Sequence, residues 1–489
     1  MSRVNLCLQS INFKTMDRKS SKLKVAIISL PENDFRYPII GTLILTKYLR
    51  EKCKNLDIIL IDNTFDDVFS KIKEFKPDIV GFSTFTQSYP DAINFAKKVK
   101  RENKNVKIVI GGPHITTLPE SLDKVFDFGV IGEGERTFVE LIEAIRAKKS
   151  ISKIKGLVYF KNNKRIVNKK REDLSNIDEL FPIDYSLLNK KYFDVKFIPE
   201  VYKFGVSMGM MTSIGCPFNC RFCSIRACWT RLRFRNLDSV IKEINLLYSK
   251  YNVRHIDFFD DLFTASKERL REFHEKLKRA KLLGKLTFSC QARANTIDEE
   301  MCRILKSLNV KTLVFGFESG SDKVLRYIKK DDSLSAETNK QAIRICVKYG
   351  LNVYGCLMMG MPGEKLEDLD KTIEFIDFAK KAGVARLWVQ VLIPLPATEM
   401  WEIAKQRGKI DSKVYEKISD VYHKEDPLLL DSDVPLAEFI KRYNLAKKKC
   451  RIFVYKTFLK TIMNNPRAIF YFAKESPFYL KRLLNFLKQ

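Results

Sequence analysis

Three cysteines in one short loop carry the strongest chemical signal in the sequence. Cys216, Cys220 and Cys223 have the spacing C-x3-C-x2-C and follow an apolar run, residues 204–212. Glycine, proline and asparagine in the loop allow three thiolates to turn toward one point, as a cluster of soft metal ions requires. A [4Fe–4S] cluster held by three cysteines keeps one iron open to another ligand. Structural zinc needs four ligands, and no close Cys or His pair follows at finger spacing. The third interpretation, scattered core cysteines, is disfavoured by the tight spacing.

This motif resembles the signature of the radical S-adenosylmethionine (SAM) enzymes. The resemblance implies that the open iron binds the amino and carboxylate groups of SAM, and that reduction cleaves SAM to a 5′-deoxyadenosyl radical. It also implies that Phe222, the aromatic residue before the last cysteine, places its backbone near the adenine. Cys228 is not expected to be a fourth ligand, because a fourth thiolate would close the iron that SAM uses.

Length and composition indicate a globular protein of two or three domains. The chain has 489 residues, of which 45% are hydrophobic and 11% aromatic, enough for substantial cores. Its eleven cysteines form no regular framework, which favours a reducing cytoplasm. No apolar run approaches the ~20 residues of a membrane span. The net charge of +29 indicates an anionic partner or many lysine-rich solvated helices. Without a recognisable binding module, nucleic acid is not expected as a partner.

The sequence pattern divides the chain into five segments. They are a basic flexible tail (1–21), a first α/β domain (22–147), a linker with a hairpin (148–204), a second α/β domain (205–408) and a basic, aromatic, helical C-terminal region (409–489). The hairpin strands are predicted at 156–161 and 165–169, around Asn162 and Asn163. The C-terminal region is expected to pack its aromatic face on the protein, with peripheral contact to an anionic membrane surface as the alternative.

Residues 22–147 alternate short apolar runs with amphipathic stretches, which is typical of a doubly wound parallel sheet. The predicted strands are 25–30, 57–62, 78–83, 107–111 and 128–131. The predicted helices include 41–52, 90–101 and 135–147. Ligands of such sheets bind beyond the carboxyl ends of the strands, where glycines let backbone amides approach a large polar ligand.

With the cysteine motif downstream, this domain resembles the Rossmann-like cobalamin-binding domain of the B12-dependent radical SAM class. Many such domains use an Asp-x-His-x-x-Gly segment, and none of the four histidines lies in that pattern. We therefore expect no histidine below the cobalt. His114 would either line the pocket or lie in a surface loop. The residues that we predict for cobalamin are Ser83, Thr84, Gly111, Gly112, His114, Glu133 and Gly134.

The second domain repeats the strand–helix alternation six times. Its predicted strands lie near 207–212, 255–259, 287–292, 312–317, 352–358 and 387–392. Six repeats resemble the partial (β/α)6 barrel of the superfamily better than a closed eight-stranded barrel. In either barrel the chemistry gathers at the carboxyl ends of the strands.

Polar residues at these strand ends are the candidates for SAM binding. Asp260 either binds polar groups of SAM or caps a helix. Glu318, in a segment that resembles the Gly-x-Glu-Ser-Gly of the class, either accepts from the SAM amino group or ribose hydroxyls, or is a salt-bridged barrel carboxylate. The Gly-x-Pro-Gly-Glu turn that starts at Gly360 resembles the turn beside the adenosine. The complete predicted set is Phe222, Asp260, Gln291, Arg293, Glu318, Ser319, Gly360, Pro362 and Gly363.

The loop after the sixth strand departs from the pattern of the class. Relatives often have glycine before the threonine, whereas this chain has Ala397 before Thr398. The shape of that loop is therefore not predicted from the resemblance.

The resemblance implies that the adenosyl radical takes hydrogen from an sp3 carbon, which then receives a methyl group from methylcobalamin, while a second SAM restores the methyl donor. An electron donor such as flavodoxin or ferredoxin is implied, and no side chain is assigned as catalytic. The anaerobic porphyrin-ester cyclase and hopanoid enzymes have a similar basic, aromatic tail, which suggests a lipid or tetrapyrrole substrate. The alternatives are oxidative cyclisation or carbon–carbon bond formation, methylthiolation, and an iron–sulfur redox or scaffold protein without SAM chemistry.

Overall fold

The computed structural model describes residues 22–30, 37–410, 414, 434–466 and 470. The chain divides into two compact α/β units, with the main boundary between residues 172 and 173. The predicted tail at residues 1–21 and much of the predicted C-terminal region lie outside the described residues.

The first unit contains a seven-stranded sheet. Its elements are β1 (Leu23–Ser29), α1 (Ile40–Lys52), β2 (Leu56–Asp62), α2 (Val68–Phe75), β3 (Ile79–Ser83), α3 (Tyr89–Glu102), β4 (Lys107–Gly111), α4 (Pro113–Thr117), β5 (Phe128–Val130), α5 (Gly134–Ala147), β6 (Leu157–Lys161) and β7 (Lys164–Val167). The strand order is β2-β1-β3-β4-β5-β6-β7, and β1 to β5 run parallel. The predicted doubly wound parallel sheet is confirmed.

Continuous apolar runs explain the parallel strands. In β1, Val25, Ala26, Ile27 and Ile28 are all buried, as expected for a strand covered on both faces. Helix α5 instead buries residues at helical spacing, among them Phe138. Val25, Ile27 and Phe138 belong to one hydrophobic core cluster of the first unit.

The predicted hairpin is confirmed, and it belongs to this sheet. Strands β6 and β7 pair antiparallel, and β6 pairs antiparallel with β5. Asn162 and Asn163 both have positive φ, 50° and 62°, which asparagine tolerates in tight hairpin turns. The hairpin that the sequence pattern placed in a linker therefore extends the sheet of the first unit.

The second unit contains a second seven-stranded sheet. Its elements begin with β8 (Lys196–Ile198), β9 (Lys203–Met210), β10 (Ser213–Ile214), α6 (Ile225–Cys228), β11 (Arg233–Phe234), α7 (Leu237–Lys250), β12 (Val253–Phe258), α8 (Lys267–Arg279) and β13 (Thr287–Ala292). They continue with α9 (Glu299–Ser307), β14 (Val310–Glu318), α10 (Asp322–Lys329), α11 (Ala336–Lys348), β15 (Asn352–Met359), α12 (Leu366–Lys381), β16 (Arg386–Val391), α13 (Glu399–Gln406) and α14 (Leu436–Asn464).

Six strands of this sheet run parallel. The order is β16-β15-β14-β13-β12-β9-β8, and only β8 runs antiparallel to its neighbour. In the described part of the chain, β16 does not pair with β8, so the sheet stays open. The predicted partial (β/α)6 barrel is confirmed, and it brings six strand ends to one edge.

The described part of the C-terminal region packs on this second sheet and its helices. Helix α14 contacts α12 and β16. Two ion pairs join α14 to α12, from Arg442 to Asp370 at 2.8 Å and from Lys449 to Asp377 at 2.6 Å, while Phe439 is buried. The predicted packing is confirmed for these residues. None of the described helices has both the length and the hydropathy of a membrane span.

Candidate active site

The cysteine loop begins at β10, beyond the carboxyl end of β9. Gly215, the residue before Cys216, has φ +91°, and a Cβ there would lie 2.4 Å from the carbonyl oxygen of Arg231. Only glycine fits that backbone. The amide of Gly215 donates to Oδ2 of Asp261 at 2.9 Å, so the loop is fixed immediately before its first cysteine.

Asp260 holds the same loop from the end of β12. Its carboxylate accepts from the amide of Thr212 at 2.6 Å, the hydroxyl of Thr212 at 2.5 Å and the hydroxyl of Ser213 at 2.7 Å. Asp260 is 1% exposed. Burial raises its pKa, although the three hydrogen bonds act in the opposite direction. Burial likewise raises the pKa of the neighbouring Asp261 to about 6.

This arrangement shows what Asp260 does in the structure. It neither caps a helix nor presents a free carboxylate, because its oxygens accept from the two residues in front of the cysteine loop. The alternative interpretation of Asp260 as a helix N-cap is therefore wrong. A contact between Asp260 and SAM stays a prediction.

The three loop cysteines are half-buried and interact electrostatically with one another. Burial raises the pKa of Cys216, and it raises the pKa of Cys223 to about 11. A metal that bound these thiols would therefore have to displace their protons. Cys228 is buried in α6.

The donor set suits an iron–sulfur cluster. Among the described residues, no three His, Cys, Asp or Glu side chains converge closely enough to hold a single metal ion. A [4Fe–4S] cluster binds each thiolate to a different iron, so its ligands need not meet at one point. Three neighbouring thiols on one loop fit such a cluster, and the cysteines stay its predicted ligands.

Arg293 follows β13 and reaches the cysteine loop. Its Nη1 lies 3.3 Å from Sγ of Cys220, and its Nη2 pairs with Asp331 at 3.0 Å. The guanidinium stacks on Phe218, 3.8 Å from the ring centroid. Gln291, near the end of β13, is exposed. A contact of either residue with SAM stays a prediction.

Glu318 ends β14 in the left-handed region, with φ +63°. Its Oε1 lies 2.9 Å from Nζ of Lys329, and both side chains are 8% exposed. A Cβ at Gly316 would lie 2.1 Å from Oε1 of Glu318. The glycine two residues before Glu318 therefore leaves space for the Glu318 carboxylate, which folds back over it. Nζ of Lys329 also lies 5.7 Å from the ring of Phe222. Glu318 is thus a salt-bridged carboxylate beside the cysteine motif.

Ser319 continues the segment and is fully buried. Its hydroxyl shares a hydrogen bond with the hydroxyl of Thr372 at 3.1 Å, and it accepts from the amide of Ser321 at 3.1 Å. Ser319 therefore fixes the turn between β14 and α10. A contact between its hydroxyl and SAM stays a prediction.

The turn after β15 is held from inside by Glu364. Its Oε2 accepts from the amides of Gly360 at 2.6 Å and Met361 at 3.0 Å. Its Oε1 is buried and has no hydrogen-bond partner among the described residues. Burial raises the pKa of Glu364 to about 7. Pro362 and Gly363 are more exposed at the tip of the turn.

The loop after β16 joins the cysteine loop. Glu399, the first residue of α13, pairs with Arg221 and with Lys330, and its amide donates to the carbonyl of Arg221 at 3.1 Å. Ala397, just before it, has φ +60°, the left-handed conformation in which glycine is the common residue. Ala397 therefore has the backbone conformation that is expected of the glycine often found at this position in relatives.

Several of these supporting residues have no signal in the sequence. Lys329 and Asp331 are more than ten residues from any predicted strand end, and only folding brings them to the site. Glu364 belongs to the quoted turn motif, and its position after two glycines and a proline could have suggested a buried cap. Arg221 lies inside the cysteine motif and could have been recognised as its electrostatic anchor.

At the first sheet, the predicted cobalamin residues lie on three neighbouring strand ends. The register pairs Ser83 with Gly111, and the amide of Thr84 donates to the carbonyl of Gly111 at 3.0 Å. Glu133 and Gly134 begin α5, after β5. The strand order reverses between β1 and β3, which is where ligands of such sheets bind. The structure thus brings the predicted residues to one edge, and their contact with cobalamin stays a prediction.

The structure decides one of the two interpretations of His114, and a contact of its ring with cobalamin stays a prediction. It lies in α4, fully buried, with Nδ1 3.2 Å from the hydroxyl of Thr86 and Nε2 2.9 Å from that of Ser121. Its ring stacks on Tyr89 at 4.0 Å, and burial lowers its pKa to about 3. The interpretation as a surface-loop histidine is wrong. The ring joins Thr86, which follows β3, to Ser121, which follows α4.

Two family models match separate segments of the chain. The radical SAM superfamily matches residues 210–376 and the B12-binding domain matches residues 33–142. The chain is 34% identical to an uncharacterised methyltransferase of Pyrococcus horikoshii over 373 residues, which are 75% of this chain and 78% of that protein. The chain belongs to the radical SAM superfamily, in the class that carries a B12-binding domain. Its class defines it as an enzyme that uses a [4Fe–4S] cluster, SAM and cobalamin.

More distant relatives differ in activity. The chain is 26% identical to the cytidylyl-2-hydroxyethylphosphonate methyltransferase of Streptomyces wedmorensis, over 71% of this chain and 70% of that protein. It is 25% identical to the anaerobic magnesium-protoporphyrin IX monomethyl ester cyclase of Rubrivivax gelatinosus, over 83% and 71%.

Solved structures share the fold. The radical SAM methyltransferase TsrM of Kitasatospora setae, with cobalamin and a [4Fe–4S] cluster bound, aligns with a TM-score of 0.65 at 19% identity, covering 79% of this chain and 78% of that chain. The cobalamin-dependent radical SAM enzyme OxsB, with aqua-cobalamin and SAM bound, aligns with a TM-score of 0.67 at 18% identity, covering 96% and 75%.

Proposed function

We propose that the chain is a cobalamin-dependent radical SAM methyltransferase that methylates an unactivated carbon of a small molecule. One observation carries the proposal: a three-thiol loop, anchored by Asp260 and Asp261, lies at the carboxyl end of six parallel strands in a chain that also has a B12-binding sheet. Relatives named as methyltransferases support methyl transfer as the outcome.

The chain's own residues hold and orient the reactants. Cys216, Cys220 and Cys223 would hold the cluster. The amides of Gly360 and Met361, fixed by Glu364, keep the turn after β15 in one shape. The Glu318–Lys329 pair places opposite charges beside Phe222, suited to the amino and carboxylate groups of an amino-acid moiety. When bound, the cofactors supply a carbon-centred radical and a methyl group.

The substrate and the partners extend this proposal. A lipid or tetrapyrrole substrate is supported by the relatives named as porphyrin-ester cyclases and by the basic, aromatic C-terminal sequence. A flavodoxin or ferredoxin would supply the electron that SAM cleavage needs. We further propose a cytoplasmic enzyme with peripheral membrane contact through the end of α14, where Leu459 and Met463 are exposed. Flotation with anionic lipid vesicles tests that contact, and absence of the chain from the floating fraction would end it.

Oxidative cyclisation is the second candidate. The match to the cyclase of Rubrivivax gelatinosus covers more of this chain than the match to the phosphonate methyltransferase does. A cyclase of this class would cleave SAM to a radical without net transfer of its methyl group to the product.

The products of SAM separate these candidates. The full chain is reconstituted anaerobically with iron, sulfide and hydroxocobalamin, reduced, and incubated with SAM labelled on its methyl group. Formation of both 5′-deoxyadenosine and S-adenosylhomocysteine, with label on the corrinoid, supports methyl transfer. Deoxyadenosine without labelled corrinoid favours cyclisation. A reduced, intact cluster that yields neither product with the true substrate present overturns the proposal in favour of a redox or scaffold protein.

A further inference from the structure

One guanidinium beside the cysteine loop is held in a single orientation. In Arg293, Nε donates to Asn295 at 3.1 Å, Nη2 donates to Asp331 at 3.0 Å, and Nη1 faces Sγ of Cys220 at 3.3 Å. The planar group also stacks on Phe218, and the side chain is 7% exposed. Each nitrogen therefore has its own acceptor, and the N–H that faces the sulfur is not free to turn elsewhere.

The other two loop sulfurs have neutral donors. Cys216 accepts from the backbone amide of Phe218, and Cys223 accepts from the backbone amide of Ile225. Only at Cys220, among these three cysteines, is the recorded donor a charged side chain. The arrangement is asymmetric: one full positive charge, partly offset by Asp331, donates a hydrogen bond to Cys220, whereas it acts on Cys216 only through space.

That asymmetry has an electrochemical consequence. Taking up one electron from a low-potential donor makes an iron–sulfur cluster and its thiolates more negative. A cationic hydrogen-bond donor stabilises the more negative state more strongly, because hydrogen bonds and nearby charge set cluster potentials. In a largely buried site this interaction is screened less than in water.

We propose that Arg293 is a positioning residue that raises the reduction potential of the cluster through its hydrogen bond to Cys220. The carboxylate of Asp331 partly neutralises the guanidinium and so limits this increase in potential. The proposal rests on the proposed function only in requiring a cluster on the three cysteines. It assigns to Arg293 a role toward the sulfur rather than toward SAM or substrate. If Arg293 only held the loop in place, its substitution would alter stability or cluster yield and leave the reduction potential unchanged.

Three variants separate the two roles. Arg293→Met removes the charge and the donor, so its potential is expected to be the most negative. Arg293→Lys keeps the charge without the fixed fork, so its potential is expected between those of Arg293→Met and the unchanged protein. Asp331→Asn keeps the shape but removes the opposing charge, so its potential is expected to shift in the positive direction.

The measurement is a reductive titration of the full chain, reconstituted anaerobically and free of SAM, followed by the electron paramagnetic resonance signal of the reduced cluster. Arg226→Gln is the matched control, because Arg226 lies three residues after Cys223 and is exposed; its potential is expected to stay unchanged. Equal potentials in Arg293→Met and the unchanged protein, with the cluster intact in both, overturn this inference and leave the proposed function standing.

If Arg293→Met holds no cluster, a negative shift in Arg293→Lys with a positive shift in Asp331→Asn supports the inference, and any other pair of shifts overturns it. Failure of the unchanged protein to hold any cluster overturns the proposed function with it.

Discussion

The carboxylate of Asp260 binds both the backbone amide and the hydroxyl of Thr212, at 2.6 and 2.5 Å. This contact joins the end of β12 to the residue that leads β9 into the cysteine loop. The loop is therefore attached to two parallel strands, and this attachment restricts the motion of its three thiols.

Removing this carboxylate should loosen the loop. Asp260→Ala leaves the donors of Thr212 and Ser213 without their acceptor, and we expect a loss of about 3 kcal/mol in the free energy of unfolding, with less iron bound per chain. Urea denaturation and iron analysis measure both. Asp238→Ala is the control, because the solvent-exposed pair of Asp238 with Lys276 should contribute little to stability. Equal iron content in the two variants would contradict the anchoring role.

The cluster ligands should be separable from the nearby buried cysteine. Cys223→Ala is expected to lose the visible absorption of the cluster and all 5′-deoxyadenosine formation, because one iron loses its thiolate. Cys228→Ala should keep both and lose only about 1 kcal/mol of stability. Anaerobic reconstitution followed by spectra and product analysis checks the pair. A colourless Cys228→Ala protein that remains folded would show that Cys228 is needed for the cluster.

The buried Glu364 should make stability depend on pH. Its pKa rises from the ordinary 4.5 to about 7 through burial, so the folded state holds this proton more tightly than the unfolded chain does. The stability from this proton is fully present below about pH 4.5 and is lost as pH rises through about 7.

Glu364→Gln mimics the protonated form at every pH. We expect it to match the unchanged protein near about pH 4 and to be more stable near about pH 8, by up to about 3 kcal/mol. Urea denaturation at both pH values measures the difference. Glu367→Gln, at an exposed position in the first turn of α12, is the control and should show no such pH-dependent gain in stability. A pH-independent effect of Glu364→Gln would contradict the prediction.

The Glu318–Lys329 pair should behave as a unit. Lys329→Met leaves the carboxylate of Glu318 buried without its cation, and we expect a loss of about 3–5 kcal/mol in the free energy of unfolding. Combining it with Glu318→Gln should restore most of that loss, because no buried charge then remains. A double-mutant cycle by thermal or urea unfolding gives the coupling energy. Additive effects of the two substitutions would mean that the contact between them does not persist in solution.

Ala397 offers a test of backbone strain. With φ +60°, alanine is in a conformation that costs about 1–2 kcal/mol, partly offset by the greater freedom of glycine in the unfolded chain. Ala397→Gly should therefore stabilise the fold by about 0.5–1 kcal/mol. Ala382→Gly, at a residue with φ −74°, should destabilise it by up to about 1 kcal/mol. The same sign of change in both variants would contradict this account.

Particular elements show how much of the secondary structure could be predicted from the sequence. Apolar runs and their spacing located the parallel strands to within a few residues; β4 and β13 agree with their predicted bounds at both ends. The hairpin at Asn162 and Asn163 was also found, because its turn chemistry is local. Its pairing with β5 was not, because that partner is chosen by the sheet and not by the hairpin.

The sequence by itself determined the class of chemistry: three cysteines at C-x3-C-x2-C spacing, glycine-ended strands and two runs of strand–helix alternation are short-range patterns, readable because each is a property of neighbouring residues. Only the tertiary structure decided what supports the site. Asp260 accepts hydrogen bonds from Thr212, and His114 is buried in the core. Lys329 and Asp331, at and just after the end of α10, pair with Glu318 and Arg293. Those pairings depend on which side chains share a buried volume and must satisfy one another's charges and hydrogen bonds there, and that is settled when the strands assemble.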